Sequence, residues 1–146
     1  MTVDVELVPA DDELAYLTEL LRRNELPTGD VEGKLGYFYV AVAADERIGI
    51  GGIEPCGEIG LLRSVVIETP YRGKGYGSML CDELEATAAA QGLRALYLLT
   101  TTADAFFDAR GYESIDRTSA PTPIQQTEEF SDYCPGSATC MSKRLD

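Results

Sequence analysis

Val65-Val66-Ile67-Glu68-Thr69-Pro70-Tyr71-Arg72-Gly73-Lys74-Gly75-Tyr76-Gly77 is the stretch on which the fold turns. It begins as an apolar β-branched run, the pattern of a strand buried on both faces, and breaks at Thr69-Pro70. Glycines at 73, 75 and 77 then lead into Met79, Leu80, Leu84 and Ala88 at helical spacing. Glycine allows positive φ and places no Cβ in the way, so these three positions are expected to let successive backbone N–H groups converge on an anion at the positive end of a helix. Arg72 and Lys74 put two cations beside that turn, in a chain otherwise rich in acids. The pattern is neither a Walker loop, for which no Gly-Lys-Ser/Thr is present, nor a dinucleotide fingerprint, whose spacing differs. A plain glycine-rich turn joining strand to helix is the competing account.

Working outward, 146 residues with 45% apolar content can build one domain with a core of its own, so a single domain over 1–146 is expected. Twelve basic and 25 acidic side chains leave a net charge of −13, a surface that repels phosphate backbones and anionic headgroups. Nucleic acid and membrane are therefore poor partners. The spread of acids with few lysines reads as a high-salt, halophilic composition. No apolar run approaches the ~20 residues of a membrane span and Met1 to Asp4 carries no signal pattern, so a cytoplasmic location is expected. The chain contains no histidine, and Cys56, Cys81, Cys134 and Cys140 form no Cys-x-x-Cys pair, so no metal site is expected and imidazole chemistry is excluded.

The alternation of Val3 to Val8 predicts an edge strand, followed by a helix capped at Asp11 or Asp12 with Leu14, Leu17 and Leu21 on one face. Tyr37 to Val42 and Ile48 to Ile53 predict a hairpin turning at Asp45-Glu46, and Ile59 to Ile67 predicts a third strand. Gly92 is placed to close the long helix. Leu96 to Leu99 then reads as a buried strand, and Thr102 as the cap of a short helix ending at Gly111. Ile115 starts another strand region, residues 118–135 form a long connection with three prolines, and Ala138 to Leu145 is the last strand.

Arg72-x-x-Gly75-x-Gly77 after a Val/Ile strand resembles the acetyl-CoA signature of the GCN5-related N-acetyltransferase (GNAT) family, and the order of elements is similar across nearly the whole chain. Phe106-Phe107-Asp108-Ala109-Arg110-Gly111-Tyr112 resembles that family's downstream aromatic run. Segments around Leu61 to Val66, Leu98 to Ala103 and Thr127 to Ala138 resemble, more narrowly, a subgroup associated with arsenic resistance. The resemblance implies a mixed α+β fold: one domain, a mostly antiparallel sheet with two splayed parallel strands, flanked by helices. It implies acetyl-CoA as cosubstrate, a small-molecule amine as acceptor, amino-acid-like or acidic in character, and a homodimer. The amides of Arg72, Gly73, Lys74, Gly75, Tyr76 and Gly77 would hold the pyrophosphate, Val65, Val66 and Ile67 the pantetheine arm, and Thr101 and Phe107 would complete the cofactor site.

Acetyl transfer needs a neutral amine. An α-amine with pKa near 8 is about one-tenth neutral at pH 7, whereas a lysine-like amine needs a stronger base. Glu54 and Glu58 are the candidate bases, Glu54 foremost, against the alternative of solvated carboxylates. Where the family commonly has a tyrosine to protonate the leaving thiolate, this chain has Phe107; Tyr97, Tyr112 and Tyr133 are possible substitutes or simply packed rings. Arg63 inside an apolar strand is either half of a fold ion pair or a clamp for a substrate carboxylate or phosphonate, and Arg117 has the same ambiguity. The segment Thr127 to Phe130 is either a lid or a docked surface stretch. Two other readings stay open: an acetyl-CoA-binding sensor with weak turnover, and a metalloid-binding protein using Cys134 and Cys140.

Overall fold

The structure is a computed structural model describing residues 4–26, 28–127, 130 and 138–145. Val3, Glu128, Glu129, Tyr133 and Cys134, for which the sequence raises expectations, lie outside the described residues. Seven strands, β1 (Glu6–Pro9), β2 (Phe38–Ala43), β3 (Glu46–Cys56), β4 (Ile59–Ile67), β5 (Ala95–Thr100), β6 (Glu113–Ile115) and β7 (Thr139–Arg144), form one sheet in the order β1-β2-β3-β4-β5-β7-β6. Each neighbouring pair is antiparallel except β4 and β5, which run parallel. The helices are α1 (Leu14–Arg23), α2 (Tyr76–Ala90), α3 (Asp104–Ala109) and the short α4 (Thr122–Gln125). None of the described helices is long and apolar enough to cross a membrane.

Strand alternation sends side chains to both faces of the sheet. On one, Leu80, Leu84 and Ala88 of α2 pack on Ala41, Ile53, Leu62 and Leu96. On the other, Leu17, Leu20 and Leu21 of α1 cover Val40, Ile50 and Val66, while Ile124 and Phe130 cover Leu61 and Cys140. Each such leucine taken fully out of water contributes about 1.5–3 kcal/mol.

Local signals account for most boundaries. The β2–β3 hairpin turns at Ala44-Asp45, one residue earlier than expected, and both residues have positive φ (50° and 64°) as a type I′ turn requires. Gly92 ends α2 in a left-handed conformation with its N–H on Ala89 and the Leu93 N–H on Ala88, a Schellman closure. Gly111 ends α3 likewise, and Tyr112 packs edge-on against Phe107 there. Neither predicted side-chain cap forms. Glu13, not an aspartate, precedes α1 and spends its carboxylate on Arg47, and at α3 the Thr100 hydroxyl, not that of Thr102, accepts from the Ala103 N–H at 2.9 Å.

Candidate active site

An extra residue in β4 makes the site. Gly52 lies opposite Arg63 and Ile50 opposite Val66, so two steps on β3 face three on β4. Ser64 takes up the excess in a left-handed conformation, φ 58°. Such a bulge bends its strand. The β4–β5 pairing accordingly stops after Leu61 and Tyr97, although β4 stays paired to β3, and β5 to β7, to their ends. The strands part into a cleft of about 570 Å³ lined by residues 62–67 and 98–103, with Gly77, Phe106 and Phe107 along it. Past Leu61 and Tyr97 their facing edges pair with no strand among the described residues, which leaves backbone donors and acceptors there for water or ligand.

The turn into α2 supplies the second half. Gly73 and Gly75 have φ of 77° and 85°, and Gly75 occupies the N-cap of α2 without contributing a side-chain cap. The first helical bond runs from the Met79 N–H to the Gly75 carbonyl, so the amides of the preceding turn have no intrahelical acceptor and the helix dipole makes them an anion cradle. A Cβ on Gly73 or Gly75 would touch nothing within 4 Å, so conformation rather than space demands glycine there. Gly77 differs from the expectation: it lies inside the helix without positive φ, and its Cβ would sit 3.6 Å from the Phe106 ring.

Of the expected cofactor residues, Val65, Val66, Ile67, Arg72, Gly77, Thr101 and Phe107 line the cleft. Gly73, Lys74 and Gly75 are exposed on the turn, and Tyr76 packs half-buried on the core. Arg72 is a tie as much as a charge: Nε donates to the Ile67 carbonyl at 2.7 Å and a terminal nitrogen to Asn24 Oδ1 at 2.8 Å. Sequence reasoning missed Asn24, Glu25 and Leu26, which wall the cleft from the connection after α1, and the half-exposed Phe106. The Arg72–Asn24 bond that draws that connection in joins residues 48 positions apart and leaves no local signature.

Arg63 reaches the cleft but is committed elsewhere. Its terminal nitrogens donate to Asp30 at 2.5 and 2.8 Å, both side chains are almost wholly buried, and the guanidinium lies 5.4 Å over the Phe38 ring. The ion pair of the first reading is thus present. Lys34 extends it, with Nζ 3.3 Å from Asp30 and 2.5 Å from Glu54 Oε1. Burial would raise the Asp30 pKa, but hydrogen bonds and charge from Arg63 and Lys34 hold it below the usual carboxylate range. Glu54 therefore sits beyond two ion pairs, outside the lining of the cleft, in a second cavity of about 430 Å³ between Lys34, Cys56 and Gln126. Glu58, exposed, accepts the Arg94 N–H through its carbonyl. Arg117 lines neither cavity; it donates to the Phe130 carbonyl at 2.6 Å and lies over that ring.

No tyrosine lines the cleft among the described residues. Tyr112 is buried with its hydroxyl on Glu85 at 3.1 Å, and burial and the Glu85 charge push its pKa far up. Tyr97 packs with Leu61 and Ile124. Among the described residues no group of three acidic, cysteine or histidine side chains is placed to hold a metal, and buried Cys140 has its pKa raised by desolvation.

Residues 34–114, which hold the bulge, the cleft strands and the glycine turn, match the model of the Acetyltransferase (GNAT) domain. The chain is 40% identical over 67 residues to an amino-acid acetyltransferase of Ectopseudomonas mendocina, covering 44% of this chain and 15% of that protein. It is 42% identical over 53 residues to mouse N-alpha-acetyltransferase 80, covering 36% and 17%. The chain thus spans under a fifth of the length of these relatives. N-acetylglutamate synthase from Neisseria gonorrhoeae, crystallised with coenzyme A and L-arginine, superposes with a TM-score of 0.81 at 16% identity, over 99% of this chain and 34% of that one. The family match, spanning more than half of the sequence, and the shared fold have one meaning: the chain belongs to the GNAT acetyltransferase family.

Proposed function

We propose that this protein is an acetyl-CoA-dependent N-acetyltransferase, a single catalytic domain that acetylates the α-amine of an amino-acid-like acceptor. The observation that carries the reading is the cleft between β4 and β5 running to the left-handed glycine turn of α2. Acetyl-CoA supplies the activated acetyl thioester. Amides from Arg72 to Gly77 hold its pyrophosphate, with Lys74 adding charge. The inner edges of Val65 to Ile67 and of β5 pair with the amides of its arm, and Thr101 and Phe107 flank that arm. The bulge at Ser64 leaves backbone groups outside the ladder beside the cleft, and an N–H among them would be suited to stabilise the negative charge that develops on an acyl oxygen bound there. An α-amine, already about one-tenth neutral at pH 7, attacks without a strong base, and a thiol with pKa near 8.5 leaves without a strong acid.

The amino-acid acceptor and its α-amine are supported by the names of the relatives, an amino-acid acetyltransferase and an N-alpha-acetyltransferase. Thiol release from acetyl-CoA in molar KCl tests the reading. The acceptor panel is amino acids, their phosphinic and arsinic analogues, polyamines and basic peptides. Amine-dependent release supports the transferase. Saturable acetyl-CoA binding without release supports the second reading, a sensor, which the lack of a tyrosine among the described cleft residues favours.

A further inference from the structure

Glu25 breaks two local rules at once. It follows Asn24, the capping residue of α1, and closes that helix in a left-handed conformation, φ 56°. The Leu26 N–H donates to the Leu21 carbonyl at 2.9 Å and the Glu25 N–H to that of Arg22 at 3.1 Å, a Schellman closure whose left-handed residue is ordinarily glycine. A side chain in that conformation is strained, and a carboxylate just past a helix meets the negative pole of its dipole. Gly92 and Gly111 close α2 and α3 without either penalty. A residue that is locally unfavourable on both counts marks a position held for what it does in its surroundings.

Those surroundings are the cleft. Alone among its described lining residues, Glu25 carries a carboxylate. Its neighbours fix it there: Asn24 accepts from Arg72 at 2.8 Å and donates to the Leu20 carbonyl at 2.8 Å, and Leu26 packs on the cluster that holds Phe38 and Val66. Glu25 itself is exposed, and no described hydrogen bond or ion pair engages its carboxylate. The two cations along the cleft are already engaged, Arg63 with Asp30, and Arg72 with Asn24 and the Ile67 carbonyl. The cleft therefore offers an entering ligand an acceptor for a cation more readily than a donor for an anion.

We propose that Glu25 is the residue by which the cleft recognises its acceptor. Its carboxylate accepts a hydrogen bond from the ammonium group of the incoming acceptor and repels an ionised carboxylate beside that group. The preferred class is then an α-amine next to a neutral carbonyl, as in an amino-acid amide, over the free amino acid. The proposal rests on the acetyltransferase reading and deepens it. The bound ammonium loses its proton to solvent before the neutral amine attacks, so Glu25 acts on binding and selectivity and not as a base. The chain's charge of −13 adds a field of the same sign, which draws cations in.

L-Alaninamide and L-alanine, which differ by the ionised carboxylate, separate the possibilities. Their amines also differ in basicity, so the quantity to follow is the ratio of their kcat/KM values, in which that difference cancels between parent and variant. An exposed ion pair is worth at most about 5-fold and a hydrogen bond to a charged group at least about 10-fold. Glu25→Gln should accordingly lower the alaninamide-to-alanine ratio by about 5- to 10-fold, through KM for the amide, with little change in kcat or in KM for acetyl-CoA. Glu25→Gly gives α1 the closing residue its backbone favours; it should lower the ratio equally while raising the melting temperature by about 2–4 °C. An unchanged ratio in both variants, or a change confined to KM for acetyl-CoA, would overturn the proposal. Calorimetric titration of the CoA-saturated protein with the same two ligands reads the preference without turnover. If neither is acetylated yet alaninamide binds more tightly and loses that advantage in Glu25→Gln, the transferase reading fails and recognition by Glu25 stands; turnover of both with a ratio indifferent to Glu25 sinks the recognition site alone.

Discussion

Arg63 and Asp30, 33 positions apart, face each other through two parallel hydrogen bonds at the mouth of the cleft, both side chains at most 2% exposed. Breaking a buried pair from one side leaves the other charge unpaired, which costs about 3–5 kcal/mol. Asp30→Ala is therefore expected to lose stability of that order in urea unfolding, with Arg63→Ala similar. Asp30 has a lowered pKa in the folded protein, so its contribution is fully present above its unfolded pKa of about 3.9 and is lost as pH falls through the lower folded value. The gap between the parent and Asp30→Asn should be widest near neutrality and narrow in acid; a gap that stayed constant down to about pH 2 would argue against the pair.

The glycines of the α2 turn are expected to separate by mechanism. Gly75→Ala forces a side chain into φ 85°, at roughly 1–2 kcal/mol, so both thermal stability and acetyl-CoA affinity should fall. Gly77→Ala has no such strain and meets only an ordinary 3.6 Å contact. It should keep or slightly raise the melting temperature while weakening cofactor binding, since Gly77 lines the cleft. Calorimetry with acetyl-CoA and thermal unfolding of the two variants read the difference.

With no tyrosine among the described cleft residues, the pH profile of kcat/KM should rise as the acceptor α-amine deprotonates near pH 8 and hold level to about pH 10. A descending limb near pH 9–10 that vanished in Tyr133→Phe would instead assign a tyrosine acid from outside the described residues.

Gly49 has no room for a side chain: a Cβ there would lie 2.2 Å from the Val66 carbonyl oxygen, which is backbone and cannot rotate away. Gly49→Ala should distort β4 beyond the bulge, giving insoluble protein or a loss of several kcal/mol with loss of acetyl-CoA binding. Gly57→Ala, in open space but at φ 72°, should cost only roughly 1–2 kcal/mol.

What could be read from the sequence follows from how local each cause is. The apolar run ending at Ile67, the glycines at 73, 75, 92 and 111, and the spacing of Leu80, Leu84 and Ala88 act within one or two turns of chain, and the structure uses each as expected. The bulge at Ser64 was not legible, because nothing in Arg63-Ser64-Val65 announces positive φ; the register against Gly51 and Gly52 imposes it. The caps expected at Asp11 or Asp12 and at Thr102 do not form, since several neighbouring residues can serve and tertiary contacts choose among them. Arg63 could be recognised as a buried cation needing a partner, but that its partner is Asp30 depends on contacts 33 positions apart.

The most direct test of the central claim is to incubate the purified protein with acetyl-CoA and L-amino acids in molar KCl, following CoA thiol release and identifying the product by mass spectrometry. Release that requires the amine, matched by an N-acetyl amino acid and weakened in Gly77→Ala through KM for acetyl-CoA, is the result this account predicts. Acetyl-CoA bound at saturation with no amine-dependent release from any acceptor would contradict it.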